Sequence, residues 1–144
     1  MTSLEVEVVE RKLAIIQRSL IELERVRGLS LADYTADLWR KKAIERFLQE
    51  AIEAAVDCAS HLLVRAGRPA PPDLYSSFAG LAELGAIEVE LARQLAPSTG
   101  LRNRLVHEYD SIDDSKVLAA VPLALDQLSR FLAGVNAWLR TRAP

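Results

Sequence analysis

Residues 33–66 carry the longest run of helical periodicity in the chain, and the run is apolar on more than one side. Ile44, Leu48, Ile52, Ala55, Ala59 and Leu62 fall on one face at spacings of three and four. Phe47, Ala51, Ala54, Cys58 and either His61 or Leu62 form a second stripe. A helix with a single stripe lies on a surface, whereas one with two must be covered by several neighbours. Such a helix sits at the centre of a bundle or in a subunit interface. The small residues Ala51, Ala54, Ala55 and Ala59 let neighbouring helices approach closely.

The remaining segments supply those neighbours. Residues 3–27 repeat Val9, Leu13, Ile16, Leu20 and Leu23 at helical spacing, with Glu10, Arg11, Arg18, Glu22 and Arg25 opposite, and Gly28 stops them. Gly67 ends the long helix, and the segment RPAPPD is a stiff linker. Asp73 is a candidate N-cap for a short helix over residues 74–84, with Phe78, Leu81 and Leu84 inward and Gly85 behind it. A fourth helix starts near Ile87 or Glu88 and continues through Leu91, Leu95, Leu101, Leu105 and Val106. Pro97 interrupts it. An interior proline costs roughly 3 kcal/mol, and Ser98, Thr99 and Gly100 follow, so a bend is expected there. Asp113 or Asp114 caps a last helix over residues 115–140, with Pro122 as a candidate kink. No alternating strand pattern and no internal repeat occur. The expected architecture is all-α: an up-and-down bundle of four main helices and one short one.

A chain of 144 residues that is 50% hydrophobic can bury a core as one domain, expected to span residues 1–144. The formal net charge of −2 counts against a broad basic face that coats nucleic acid, but not against local contact with RNA. There is no run of about 18 apolar residues to cross a membrane, and the N-terminus lacks the basic-then-apolar order of a signal peptide. Cys58 is a single cysteine with no internal partner for a disulfide. These features suit a cytoplasmic protein.

Chemistry is concentrated in residues 101–113, LRNRLVHEYDSID. Asn103 and His107 are four apart and share a helix face, while Arg102 lies about 140° from His107 around the same helix. A long arginine side chain can curl back toward that face. Each residue also has a plainer reading. His107 alone is a capping histidine at a helix end, Arg102 and Arg104 a solvated turn, and Tyr109 a packing side chain with its hydroxyl in water. His61 and Cys58 read as packed residues of the long helix, and Trp39 and Trp138 as core or interface anchors. Glu53 and Asp57 are four apart, but no matching ligand pair occurs elsewhere, so no metal site is expected. No cofactor motif is present.

The string RNRLVHEYDSID resembles the HEPN superfamily, whose ribonuclease motif is R-x(4–6)-H. More narrowly, it resembles the HepT branch, with its R-x(4)-H-x-Y signature in Arg102, His107 and Tyr109. Residues 43–63 and 74–95 are similar to the family's second helix and to its third helix and entry to the fourth. The resemblance implies a metal-independent RNase toxin that works as a homodimer, with two motifs facing one cleft. It further implies a minimal nucleotidyltransferase antitoxin (MNT) that places AMP on the motif tyrosine, here Tyr109.

The chemistry is consistent with that implication. RNA carries its own nucleophile, the ribose 2′-hydroxyl, and histidine is suited to take its proton near neutral pH. Arg102 would hold the phosphate as charge builds, and Asn103 would orient His107 or the phosphate. The alternative is a non-catalytic binding module for nucleotide or for the nucleotidyltransferase. A purely structural adaptor, in which Arg102, His107 and Tyr109 are all replaceable, is the third reading.

Overall fold

In the computed structural model the described residues run from 3 to 142, and they form six α-helices with no strand among them. These are α1 (Ser3–Glu24), α2 (Leu31–Ala36), α3 (Leu38–Arg65), α4 (Tyr75–Glu83), α5 (Val89–His107) and α6 (Asp114–Arg140). The helix α3 touches every other helix, most extensively α1. Its two apolar stripes explain this. Ile44, Leu48, Ala51, Ile52, Ala54, Ala55, Cys58, Ala59 and Leu62 are all buried in one contiguous core with the stripes of α1, α5 and α6.

The long helix does not start at residue 33. The chain breaks at Asp37, which is extended (φ −121°, ψ 104°) and accepts a hydrogen bond from the Arg40 N–H at 3.1 Å. Aspartate favours this N-cap role over a helix interior because its carboxylate satisfies a free N–H. Before it, α2 is a separate short helix capped by Ser30, whose Oγ accepts from the Asp33 N–H. The break turns Tyr34 fully into the core. Burial there, with Glu45 and Asp114 nearby, pushes its phenol well above the usual range.

The bend expected at Pro97 does not end the helix, and α5 runs from Val89 to His107 with the proline inside it. Pro97 and Arg93, whose carbonyl loses its partner, both lie on the exposed side, where water can replace the missing N–H. Leu95, Ala96, Thr99 and Leu101 are buried and hold the turns before and after the proline. The helix α6 likewise carries Pro122 without a break.

By length and composition α6 is apolar enough to cross a membrane. Its apolar stripe is accounted for by packing: Val117, Val121, Leu125, Leu128, Phe131 and Val135 are buried in the common core. Phe131 meets Phe78 of α4 edge-to-face at 6.0 Å. On the outer side Arg130 pairs with Asp126. Trp138 is buried, with the Arg142 guanidinium 4.2 Å from its ring centre. Trp39 is not a core residue: it is 88% exposed, beside exposed Leu38.

Two glycines turn the chain toward the site. Gly67 and Gly85 have φ of +80° and +83°, a left-handed conformation that ends α3 and α4 at little steric cost. The connection between α3 and α4 contains Pro69, Pro71 and Pro72. Asp73 closes it, one residue before the N-cap position Leu74, accepting hydrogen bonds from the Ser76 N–H and hydroxyl at 2.8 and 2.7 Å. This brings the start of α4 alongside the second half of α5.

Candidate active site

The last turns of α5 are anchored on one side and open on the other. Leu101 and Leu105 are buried, whereas Asn103, Arg104 and His107 are exposed and Arg102 lies between these extremes. The helix stops at His107. The Glu108 N–H still bonds back to the Arg104 carbonyl (2.9 Å), and the Ser111 N–H to the Glu108 carbonyl (3.0 Å). The Asp113 carboxylate then caps α6 through the Ser115 N–H and hydroxyl, and these bonds hold its pKa below the usual range. His107 and Tyr109 therefore sit on a short, closed connection between two helices.

The guanidinium of Arg102 is fixed by two partners. Its Nε and Nη2 both reach Glu53 Oε1 on α3, at 2.8 and 2.7 Å, and its Nη1 donates to Asn103 Oδ1 at 3.1 Å. The bond to Asn103 matters because Asn103 and His107 share a helix face. The arginine that helical geometry sends toward α3 is thereby tied to the face that carries the histidine. A guanidinium has five N–H donors. Nε and Nη1 each donate one hydrogen bond here and Nη2 makes the ion-pair contact, so N–H groups remain for an anion.

Glu53 is the site residue that sequence reasoning did not assign. Its neighbours Ala51, Ile52, Ala54, Ala55 and Val56 are all buried. A carboxylate set among them needs a cation, and that is the signal the sequence offers; the identity of the cation comes only from the fold. Asp57, one turn on, pairs with Lys12 of α1 at 3.1 Å. The two carboxylates are thus committed to different cations, and among the described residues no cluster of three His, Cys, Asp or Glu could hold a metal ion.

The other candidates fall as follows. The His107 ring is exposed and makes no hydrogen bond among the described residues. Tyr109 is 64% exposed. His61 is half-buried on α3, with Nε2 enclosed and unpartnered. Cys58 is fully buried, and burial with Asp57 nearby pushes its thiol up to about 12. Arg102 and Glu53 line a cavity of about 220 Å³ floored by Leu74 and Thr99. Against it lies a wider cleft of about 690 Å³, bounded by the proline-rich connection, Tyr75 and Asn103.

An all-α bundle that presents arginine, asparagine and histidine at a helix end, with an exposed tyrosine just beyond, is the arrangement of a HEPN domain. Residues 16–135 match the family described as ribonuclease HepT-like, and the chain belongs to that family. It is similar to the tRNA nuclease HepT of Aphanizomenon flos-aquae, with 38% identity over 98% of this chain and 96% of that one. The mRNA nuclease HepT of Shewanella oneidensis is 26% identical over 91% of this chain and 98% of its own length. The fold superposes on the tri-AMPylated Shewanella oneidensis HEPN toxin solved in complex with its MNT antitoxin, with a TM-score of 0.81. That match has 26% identity and covers 95% and 99% of the two chains.

Proposed function

We propose that this chain is the toxin of a toxin–antitoxin pair, a cytoplasmic endoribonuclease that cuts RNA without a metal. The observation that supports the reading is the clamp on Arg102 by Glu53 and by Asn103, the residue one helical turn before His107. Arg102 binds the scissile phosphate through its remaining N–H groups. His107 takes the proton of the 2′-hydroxyl, whose oxygen attacks phosphorus. The bond from phosphorus to the 5′-oxygen breaks, and that oxygen leaves with a proton. The products are a 2′,3′-cyclic phosphate and a 5′-hydroxyl. In a homodimer with the two motifs facing one cleft, the second His107 supplies the leaving proton. DNA lacks the 2′-hydroxyl and is not cut.

The partner in this reading is an MNT-type nucleotidyltransferase. It transfers AMP from ATP to the Tyr109 hydroxyl, with release of pyrophosphate. The exposure of Tyr109 supports this, as does the state of the Shewanella oneidensis toxin. A bulky anion two residues from His107 repels and displaces the RNA phosphate.

The test is RNA cleavage by wild type and His107→Ala in the presence of EDTA, with product ends read by mass spectrometry. Wild type leaves cyclic phosphate ends and the variant leaves RNA intact; equal cleavage by both removes His107 from the mechanism. A second reading, a non-catalytic module that binds nucleotide or the nucleotidyltransferase, draws on the engagement of Arg102 by Glu53. It predicts binding without cleavage by unmodified wild type.

A further inference from the structure

We propose that the cleft between the proline-rich connection and α5 receives one unpaired nucleobase of the RNA, stacked on Tyr75. The proposal rests on the ribonuclease reading of the adjoining motif and adds to it a subsite that selects where the strand is cut. Tyr75 is the first residue of α4 and is 62% exposed, so its ring is not spent on the core. The rigid pair Pro71 and Pro72 borders the same cleft, and Gly100 and Asn103 of α5 form the opposite side. The absence of a side chain at Gly100 leaves this wall low; a Cβ there would meet only Arg104 Nη1, at 3.4 Å.

Charge decides what kind of group fits. Among the described residues that line the cleft the one charged side chain is Asp73, and the cation Arg104 reaches only the Gly100 edge. Hydrogen bonds from the Ser76 hydroxyl and N–H hold that carboxylate below its usual pKa range, so it is anionic at any working pH. Beside Asp73 a phosphate is disfavoured, whereas a flat uncharged base is not. The phosphate has its own place next door, at Arg102, in the smaller cavity that shares Leu74 and Thr99 with this cleft. Asn103 lines the cleft and is bonded to Arg102. Its Oδ1 is taken by Arg102, which leaves the amide N–H groups to meet an acceptor on the base edge. The Thr99 hydroxyl is turned back to the Ala96 carbonyl at 2.9 Å and does not compete. Stacking on an aromatic side chain tolerates any base, while the amide favours bases with an acceptor on the exposed edge. A base in a duplex has both faces and its edge occupied, so the subsite favours single strands, loops and ends.

The experiment uses a non-cleavable 2′-O-methyl oligoribonucleotide, with binding measured by fluorescence anisotropy for wild type, Tyr75→Ala and Tyr75→Phe. Cleavage of ordinary RNA is mapped in parallel. Tyr75→Ala is expected to weaken binding about tenfold, within the range of one lost stack, while Tyr75→Phe stays within about twofold of wild type. An oligonucleotide with an abasic residue at the preferred position should bind wild type and Tyr75→Ala alike. The Tyr75→Ala cleavage pattern should lose its preference among sites. Equal affinity of Tyr75→Ala and wild type for the intact strand overturns the subsite even if wild type cuts RNA. If wild type binds through Tyr75 but never cuts, the subsite stands and the ribonuclease reading falls.

Discussion

Arg102 shows how one side chain is placed by residues distant in sequence. Left to its helix, it points about 140° away from His107. Its bonds to Glu53 and Asn103 hold the guanidinium in one position, which in the proposed mechanism removes part of the ordering cost from the reaction. If that is what Glu53 contributes, Glu53→Gln lowers kcat for RNA cleavage roughly ten- to a hundredfold, the range for a small misplacement at a reacting centre. KM should move less than kcat. Glu53→Asp keeps the charge and should recover part of the loss, with both variants folded by circular dichroism. A Glu53→Gln enzyme within twofold of wild type would leave the ion pair a structural contact only. Tyr109→Phe removes the proposed AMP acceptor. Incubated with the nucleotidyltransferase and ATP, wild type should gain the mass of AMP groups and the variant none at this position; a gain on the same peptide in Tyr109→Phe would move the acceptor elsewhere.

At the scale of helices, the two surprises share a cause. Helix propensity and proline rules are local, and packing outweighed one of them and sharpened the other. Pro97 stays inside α5 because buried residues on both sides hold the helix while Pro97 and Arg93 lie on its exposed side. Asp37 divides α2 from α3 because its carboxylate caps better than it propagates. Asp37→Ala should cost about 1 kcal/mol of stability in urea unfolding; no change would mean that the break is set by the burial of Tyr34 instead. A tighter constraint sits at Gly134 on α6. A Cβ there would lie 2.7 Å from the Ala86 carbonyl oxygen, a backbone atom that cannot swing aside. Gly134→Ala should destabilise by about 1–3 kcal/mol, as overpacking does, despite the better helix propensity of alanine. A stabilised variant would show that the contact between α6 and the turn after α4 yields easily.

Across the whole molecule, α3 joins stability to the site, since the helix that fills the core also carries Glu53. Cys58 reports on that core. Its thiol is pushed from 9.0 to about 12, chiefly by burial. The fold favours the protonated thiol, so this contribution is complete below pH 9 and is lost as pH rises toward 12. Wild type should therefore lose melting temperature more steeply than Cys58→Ala between pH 9 and 11, measured at matched ionic strength. Parallel slopes would mean that the thiol is reached by water in the folded state. The native thiol should also resist alkylation at pH 8 until the protein is unfolded, because only the thiolate reacts.

The sequence by itself determined the all-α class, the central position of the long helix and the stretch that bears the motif. Apolar spacing is a local property, and it survives any arrangement of neighbours. The sequence also singled out Arg102, Asn103, His107 and Tyr109, through the crowding of polar residues in that stretch and its resemblance to the HepT signature. The tertiary structure alone decided that Glu53 holds Arg102, that Pro97 does not end α5, that Trp39 lies outside the core, and that Tyr75 and Asn103 border one cleft. Each depends on which residues distant along the chain come within a few ångströms, and hydrogen bonds, ion pairs and clefts are settled at that range.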